Sequence, residues 1–355
     1  ANVFNELHID HSTVIASLQG INMQTSSRLL LASLALLSTS AAFAQSSVTI
    51  YGRVNTSVEH QKAGGESATV MQNNASRIGF RGVEDLGGGL KAGFVLESGF
   101  NSDTGTSDGR GFFARQSEVN LSGNFGELRL GRWTAPSYFA TADYISMHNH
   151  DTGTSADAFY AYVMNDVATN SNGISYKTPT FGGFNIEAGT GLYEKNAKYG
   201  NKNIYDLAAN YEAGPLALGA GYTKFDKADQ YAIRGLYKIG SQFLVGAYVQ
   251  RSKNWGFDQV TALNGAGSRT AYRLSGAYLM GASEFHLNVG RAGKMKNIAE
   301  SQALQYTLGY NYNLSKRTKV YAFYTKVDNK DGASYMSGTS GADFSSFAVG
   351  VRHNF

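Results

Sequence analysis

The sequence has 355 residues, and its 31 lysines and arginines against 27 aspartates and glutamates give a formal net charge of +4. It contains no cysteine, which excludes disulfide bonds. No run of about 18 apolar residues follows Gln45, which excludes a transmembrane helix in that part of the chain. Proline occurs only three times, which suits strands that must keep every backbone donor paired.

Residues 23–44 have the pattern of a secretory signal peptide. Arg28 supplies the positive end, 29–37 form the apolar stretch, and the tripeptide Ala42-Phe43-Ala44 has small residues at the positions that a signal peptidase requires. We therefore expect cleavage before Gln45.

Residues 1–22 precede Met23, a plausible initiator, and have no usable periodicity. We interpret them as upstream sequence translated through a start-site error. A real disordered extension is the alternative. The mature domain is predicted to span 45–355.

From Val48 to Phe355 the chain is a series of short segments in which apolar and polar residues alternate. In 304–312, for example, Leu308 and its apolar neighbours alternate with Gln305 and similar polar residues. A strand places successive side chains on opposite faces, so one face of each segment is apolar. Singly, each segment also fits a half-buried strand of a soluble sandwich, but the long series behind a signal peptide argues against that alternative.

Seven short turn signals and eight longer polar connections separate sixteen predicted strands. An even number of strands, with short turns at one rim and longer loops at the other, is typical of a bacterial transmembrane β-barrel. The predicted fold is all-β, a 16-stranded antiparallel barrel. The longer connections are predicted at 62–73, 101–111, 134–172, 194–202, 226–230, 254–268, 293–302 and 330–343.

Several motifs resemble the general porins of Gram-negative bacteria, most closely the branch with neisserial and anion-selective members. Two examples are SRIGFRG at 76–82 and LSGNFGELRLGR at 121–132. The motifs run in order from the first strand to the last. The matching stretches are 47–53, 76–82, 84–93, 121–132, 314–318 and 349–355.

The resemblance implies an outer-membrane homotrimer with one water-filled pore per subunit for small hydrophilic solutes and ions. It also implies that the long third loop, here 134–172, folds into the pore. Phe355, at the end of an alternating last strand, looks like the signal that such barrels present to the barrel assembly machinery. The resemblance implies no catalytic residue, cofactor, metal or nucleic-acid partner.

Three arginines match a basic ladder that the family carries on its inner wall. Arg53 and Arg77 also lie at positions that strand alternation assigns to the lumen. Arg115 matches a third ladder position, although strict alternation places it outward with Val119, and a β-bulge would reconcile the two arguments. A further ladder arginine of some members is missing here, since Asn-Ser-Asn-Gly stands at 170–173.

Acidic side chains are expected to oppose this basic wall. The candidates are Asp143, Asp151 and Asp157 on the third loop and Glu97 on the wall, with ordinary solvated loop charge as the alternative for the loop acids. Two other cationic residues, Arg81 and Lys91, share the lumen positions but lie nearer a short turn, which predicts a vestibular role.

The sequence therefore predicts a diffusion porin with a mild anion preference, because charged side chains around a constriction decide which ions pass. A solute-specific channel is the first alternative, and a non-conducting surface barrel is the second. The solute-specific channel needs an aromatic track, for which the third loop offers candidates. They are Tyr138, Phe139, Tyr144, Phe159, Tyr160 and Tyr162.

Overall fold

The computed structural model describes residues 47–142, 153–161, 171–194, 202–257, 263 and 265–355. The expected signal peptide, the segment before it, and two of the candidate acids, Asp143 and Asp151, lie outside the described residues. Within the described part of the chain, no helix is both long and apolar enough to cross a membrane.

Nearly all of the described chain is β-strand. The elements are β1 Ser47–Ala63, β2 Glu66–Asn73, β3 Arg77–Gly87, β4 Leu90–Gly99, β5 Gln116–Gly123, β6 Gly126–Arg132, α1 Pro136–Thr141, a 3-10 turn at Gly153–Ser155, β7 Gly173–Lys177, β8 Phe184–Gly191, β9 Ile204–Ala213, β10 Leu216–Phe225, β11 Ala228–Ile239, β12 Phe243–Lys253, β13 Ser268–Met280, β14 Ser283–Ala292, β15 Ala303–Asn313, β16 Thr318–Asn329 and β17 Phe344–Asn354.

The strands form one closed antiparallel sheet. Each pairs with the next along the chain, except that β3 pairs with β1 instead of β2, and β17 pairs with β1, so the sheet closes on itself. Both β2 and β3 pair with β1, because the chain departs from the ladder only at 74–76, where Ala75 has a φ of 56°, and then resumes on the same partner. Together β2 and β3 make one spanning strand, and the predicted 16-stranded barrel is confirmed.

Two of the predicted loops are wrong. Residues 62–73 form the end of β1 and all of β2, joined by a tight turn at Gly64 and Gly65, which have φ values of 58° and 92°. Residues 226–230 are likewise a short turn followed by the start of β11. These stretches are polar, but a ladder satisfies its own backbone groups whatever the side chains are, so the strands continue beyond the apolar zone.

The two faces of the sheet differ as the alternation predicts. Large apolar side chains such as Ile233, Leu274 and Leu308 are exposed on the outer face. Polar side chains such as Gln250 and Gln305 are buried on the inner face. In an empty barrel these side chains would be exposed to the lumen. Something inside the barrel therefore covers this part of the inner wall.

The described parts of the third loop supply that cover. Helix α1 packs on β9, β10 and β11, and the segment 153–161 continues across the inner wall. Its aromatic rings are buried against the strands. Tyr160 lies edge-on to Tyr248 of β12, and Phe159 lies edge-on to Tyr335 in the connection after β16. The hydrophobic core of this barrel thus lies between the inner wall and its loops.

Candidate functional site

Arg53 of β1 and Arg77 of β3 stand directly opposite each other in the ladder, on the inner face. Two like charges facing each other across a sheet destabilise it unless other groups compensate. Arg53 donates from Nε to Oδ1 of Asn354 at 3.2 Å on the neighbouring strand β17. Asn354 thus orients Arg53 at the seam where β17 closes the barrel on β1.

Glu97 of β4 provides the compensating charge on the other side. Its Oε1 lies 2.6 Å from Nε of Arg115, and its Oε2 lies 3.9 Å from Nε of Arg77. The hydroxyl of Tyr51 also donates to this carboxylate. The two arginine side chains are each 20% exposed and the glutamate 12% exposed, so the group remains open to the lumen. With Arg53 included, three guanidinium groups and one carboxylate lie on this part of the wall, which gives it a net positive charge.

Arg115 reaches the lumen by a different route from the expected bulge. The register between β4 and β5 runs without a shift, and Arg115 lies one residue ahead of β5, in a bend where alternation does not apply. Its backbone N–H donates to the carbonyl of Glu97 at 3.2 Å. The bend therefore aims its side chain along β4.

A second loop residue, Arg110, adds to this cluster and was missed in the sequence. It donates from Nε to Oδ2 of Asp108 at 2.9 Å. Burial tends to raise the pKa of Asp108, but the hydrogen bonds from Arg110 outweigh that effect and lower it. The aspartate packs over Gly99, where a Cβ would collide with its carboxylate, and Gly99 faces Arg77 in the ladder. The Asp-Gly-Arg spacing at 108–110 was the available signal.

Asp157 is not part of this exposed group. Its Oδ1 lies 2.7 Å from Nη2 of Arg273 on β13, both side chains are 0% exposed, and Tyr248 donates its hydroxyl to Oδ2 at 2.5 Å. A carboxylate that is buried and fully paired presents no free charge to solutes. Its expected place among the exposed acids of the constriction is therefore corrected: Asp157 fastens the third loop to the wall.

Glutamine side chains of the wall grip the backbone of the same loop. Gln250 accepts from the N–H of Ala161 and donates to its carbonyl, both at 2.7 Å. Gln305 accepts from the N–H of Ala158 at 3.0 Å and donates to the carbonyl of Ala156 at 2.9 Å. Each side-chain amide thus pairs with backbone groups of the loop that have no partner in a β-ladder. Alternation assigns both glutamines to the inner face but says nothing of what they bind.

Helix α1 is held by a second set of wall groups. Asp206 of β9 accepts from the N–H of Ser137 at 2.9 Å, and Arg234 of β11 donates from Nε to the carbonyl of Ala140 at 2.6 Å. The helix lies so close to β10 that a Cβ at Gly219 would collide with the carbonyl of Ala140, and one at Gly221 would come within 2.7 Å of the carbonyl of Ser137. Glycine is required on this strand because backbone meets backbone there.

A third wall carboxylate, Glu59 of β1, is fully buried near the 3-10 turn. Thr154 donates its hydroxyl to Oε2 at 2.9 Å, and Gln61 donates to the same oxygen at 2.9 Å. Charged and amide groups from β1 to β15 therefore hold the described parts of the loop against the wall.

The two expected vestibular residues lie on the inner face, closer than Arg77 to the turn between β3 and β4. The guanidinium of Arg81 lies 5.2 Å from the centre of the Tyr51 ring, a cation–π distance. Lys91 faces Asp85 in the ladder, and its side chain is exposed.

Phe355 extends the pairing of β17 with β1. Its N–H and carbonyl exchange hydrogen bonds with Gly52, at 3.1 and 3.0 Å. Its ring covers the surface that a side chain at Gly52 would occupy. The phenyl group thus lies on the outer face at the closing seam.

The described aromatic side chains of the third loop, Tyr138, Phe139, Phe159 and Tyr160, do not by themselves form the continuous track that a solute-specific channel would need. Tyr138, Phe159 and Tyr160 are buried against the wall, while Phe139 is exposed. The remaining two, Tyr144 and Tyr162, lie outside the described residues.

Known proteins share both the sequence pattern and the barrel. Residues 31–332 match the family described as Gram-negative porin. The chain is 35% identical to outer membrane porin protein 32 of Delftia acidovorans, covering 92% of this chain and 99% of that one. It is 27% identical to major outer membrane protein P.IB of Neisseria sicca, covering 88% and 96%.

A solved structure, an anion-selective porin from Comamonas acidovorans, superposes with a TM-score of 0.73 at 30% identity, covering 88% of this chain and all of that one. The closed barrel, the loop packed against its inner wall and the similarity to these relatives all indicate the same family. The chain therefore belongs to the Gram-negative porin family, and it is an outer-membrane channel for small solutes.

Proposed function

We propose that this porin is a general diffusion channel with a mild preference for anions, and that Arg53, Arg77 and Arg115 form the basic side of its constriction. One observation carries the proposal: Arg77 and Arg115 share one carboxylate, Glu97, and Arg53 faces Arg77 in the ladder, so three guanidinium groups gather on a wall that stays open to the lumen. A low-dielectric wall focuses such a field and raises the local concentration of anions.

The proposed acidic side of the constriction consists of Asp143 and Asp151, whereas Glu97, which was expected to oppose the arginines, lies among them on the basic wall. Since Asp157 is paired with Arg273, fewer carboxylates are available to oppose the arginines of the constriction than the sequence suggested. This supports a net positive constriction. The similarity to the anion-selective porin from Comamonas acidovorans supports the same sign.

In the vestibule, Arg81 and Lys91 are proposed to draw anions toward the constriction. Arg81 lies four residues from Arg77, about 13 Å along the strand. At 0.1 M salt the Debye length is about 10 Å, so the two positions act on a passing ion one after the other.

For assembly, we infer a homotrimer, which membership in the family implies, and recognition of Phe355 by the barrel assembly machinery. The exposed ring at the closing seam supports the second inference. Native mass spectrometry of the detergent-extracted protein tests the trimer, and the yield of inserted Phe355→Ala protein tests the signal. A monomer mass or an unchanged yield would overturn the respective inference.

The channel proposal is tested with the purified protein in planar bilayers of neutral lipid under a salt gradient. We expect ohmic conductance with a reversal potential on the anion-selective side. A reversal potential on the cation side would contradict the proposed constriction while leaving the porin assignment intact. The absence of conductance would instead support a non-conducting surface barrel.

A further inference from the structure

The connection between β16 and β17, residues 330–343, reaches from the rim of the longer loops to the third loop. Its Tyr335 is fully buried, and the ring lies edge-on to Phe159 of the third loop with 4.9 Å between the ring centres. The ring of Phe257, in the connection that follows β12, lies edge-on to the same tyrosine at 5.0 Å. Edge-on aromatic pairs stabilise a structure beyond the area that they bury. Two outer connections and the third loop therefore share one apolar cluster.

Arg269 of β13 joins two of these segments through one side chain. It donates from Nη1 to the hydroxyl of Tyr335 at 2.6 Å and from Nη2 to the carbonyl of Phe159. The guanidinium lies 5.5 Å from the centre of the Tyr335 ring, and the residue is 2% exposed. A guanidinium has its donors in a fixed planar geometry, so binding one segment orients the donors that face the other. Losing either hydrogen bond would leave a buried polar group unsatisfied, which is costly.

The β16–β17 connection is itself firmly folded. At its base, the side chain of Asn329 accepts from the N–H of Tyr335 at 3.1 Å and donates to the carbonyls of Tyr335 and Ala342 at 2.9 and 2.7 Å. The N–H of Gly332 donates to the carbonyl of Glu300, in the connection after β14, at 2.8 Å. Networks of this kind carry a displacement from one site to another, so a shift of the exposed part reaches Tyr335.

Phe159 lies at a point of the third loop that is held from several sides. Backbone groups before and after it are bound by Gln305 and Gln250 of the wall. These glutamines belong to strands, which the barrel ladder keeps in place. Tyr335 differs because it belongs to a connection whose tip, at 338–341, is exposed. The contact with Phe159 from this side can therefore respond to events outside the barrel.

We propose that Arg269 and Tyr335 are positioning residues for conduction, which couple the β16–β17 connection to the third loop. With both contacts in place, the segment 153–161 stays against the inner wall and the lumen stays open. When the connection is displaced, Phe159 is released and the segment moves into the lumen, which interrupts the current. The inference rests on the channel function alone and does not depend on the sign of the ion preference.

The first test records single-channel currents in planar bilayers of neutral lipid. Tyr335→Phe removes the hydroxyl that Arg269 holds and keeps the ring, whereas Tyr335→Ala removes both. We expect the closed-to-open ratio to rise about fivefold in Tyr335→Phe, as the loss of one buried hydrogen bond predicts. In Tyr335→Ala, which also loses the aromatic pair, it should rise at least about tenfold. Tyr324→Phe removes the same atom from the outer face of β16 and should leave the ratio unchanged.

A double-mutant cycle tests whether Arg269 transmits the effect. Arg269→Gln should also raise the closed-to-open ratio, because it releases Phe159. If the guanidinium couples the two segments, adding Tyr335→Phe to Arg269→Gln should change the ratio little further. Fully additive effects in the double variant would overturn the coupling.

The second test displaces the connection from outside. The chain has no cysteine, so Thr339→Cys introduces a single thiol at the exposed tip, to which biotin and then streptavidin can be attached. We expect streptavidin to raise the closed-to-open ratio of Thr339→Cys and to have no further effect on Thr339→Cys/Tyr335→Ala. The control is Thr104→Cys, at an exposed position of the connection after β4, which should not respond.

Three results would each overturn the proposal. They are a ratio in Tyr335→Phe no higher than in Tyr324→Phe, no response of Thr339→Cys to streptavidin, and an equal response when Tyr335 is replaced, which would indicate blockage of the pore mouth. Heat-resistant migration in a denaturing gel checks that each variant is folded. If Tyr335→Ala is not, Tyr335→Phe takes its place, because it keeps the packing. A porin that conducts no current would instead contradict the channel function.

Discussion

The inner wall of this barrel holds arginines in two different surroundings. On the β1–β5 side, Arg77 and Arg115 share Glu97 and keep part of their surface in the lumen. On the β11–β13 side, Arg234 and Arg273 are buried beneath the third loop, one bonded to a backbone carbonyl and the other to Asp157. Residue type and strand face are the same on both sides, so the loop that covers one side decides which arginines can act on solutes.

This contrast has an energetic reason. A charge buried without a partner is expensive, so each covered arginine must end on a loop acceptor. An exposed charge loses little hydration and keeps its field, which acts on ions in the lumen. The covered side should therefore respond to mutation through stability, and the open side through selectivity.

The largest expected effect comes from the covered side. Asp157→Ala leaves Arg273 buried without its carboxylate, and breaking such a pair costs about 3–5 kcal/mol. We expect a lower free energy of unfolding in denaturant titrations and noisier single-channel currents as the loop loosens. The control is Asp328→Ala, whose exposed pair with Lys326 is worth about 0–1 kcal/mol. Equal costs for the two variants would contradict the buried anchor.

The next effect comes from the glycines under α1. In Gly221→Val the new side chain must displace the helix backbone, and overpacking of this kind costs typically about 1–3 kcal/mol. We expect altered conductance, because the displaced helix moves into the lumen. Gly235→Val on the outer face of β11 is the matched control, since a Cβ there meets only Leu218 at 3.6 Å. A harmless Gly221→Val would show that the loop does not press on this strand.

On the open side we expect a smaller change in the free energy of unfolding and a clear change in ion selectivity. Neutralising the facing pair in Arg53→Gln/Arg77→Gln should lower the anion-to-cation permeability ratio by about two- to tenfold, as focused fields of this kind predict. Stability should change by no more than about 0.5 kcal/mol, because like charges are removed from a surface open to water.

Reversal potentials under a salt gradient measure that ratio. The control for the open side is Lys316→Gln/Arg317→Gln, which removes two exposed charges from a short turn. If the turn pair shifts the reversal potential as far as the wall pair, the constriction lies elsewhere.

The smallest expected effect is a difference in salt response. Between 0.1 and 1 M salt the Debye length falls from about 10 to about 3 Å, so the selectivity gap between the porin and Arg53→Gln/Arg77→Gln should shrink. The stability loss of Asp157→Ala should change little over the same range, because water and ions do not reach that pair. A selectivity gap that stays constant with salt would indicate a steric rather than an electrostatic constriction.

Much of the fold could be predicted from local patterns. Alternation along the segments predicted which face of each strand is apolar and placed Arg53 and Arg77 on the other face. The structure has both arginines on the inner face. It failed at 62–73, because polar side chains do not end a ladder whose backbone groups pair with each other. It also misplaced Arg115, because a bend just before a strand is not subject to the two-residue period.

The amino-acid sequence by itself determined the barrel, its strand number and the family, because each depends on a period of two residues and on motifs that are local. Only the tertiary structure decided which charges remain available. Asp157 meets Arg273 across 116 residues, and Asp206 meets Ser137 across 69, and no local pattern encodes such pairings. A charge acts on solutes only where no folded segment has already neutralised it, and that depends on contacts made far apart in the chain.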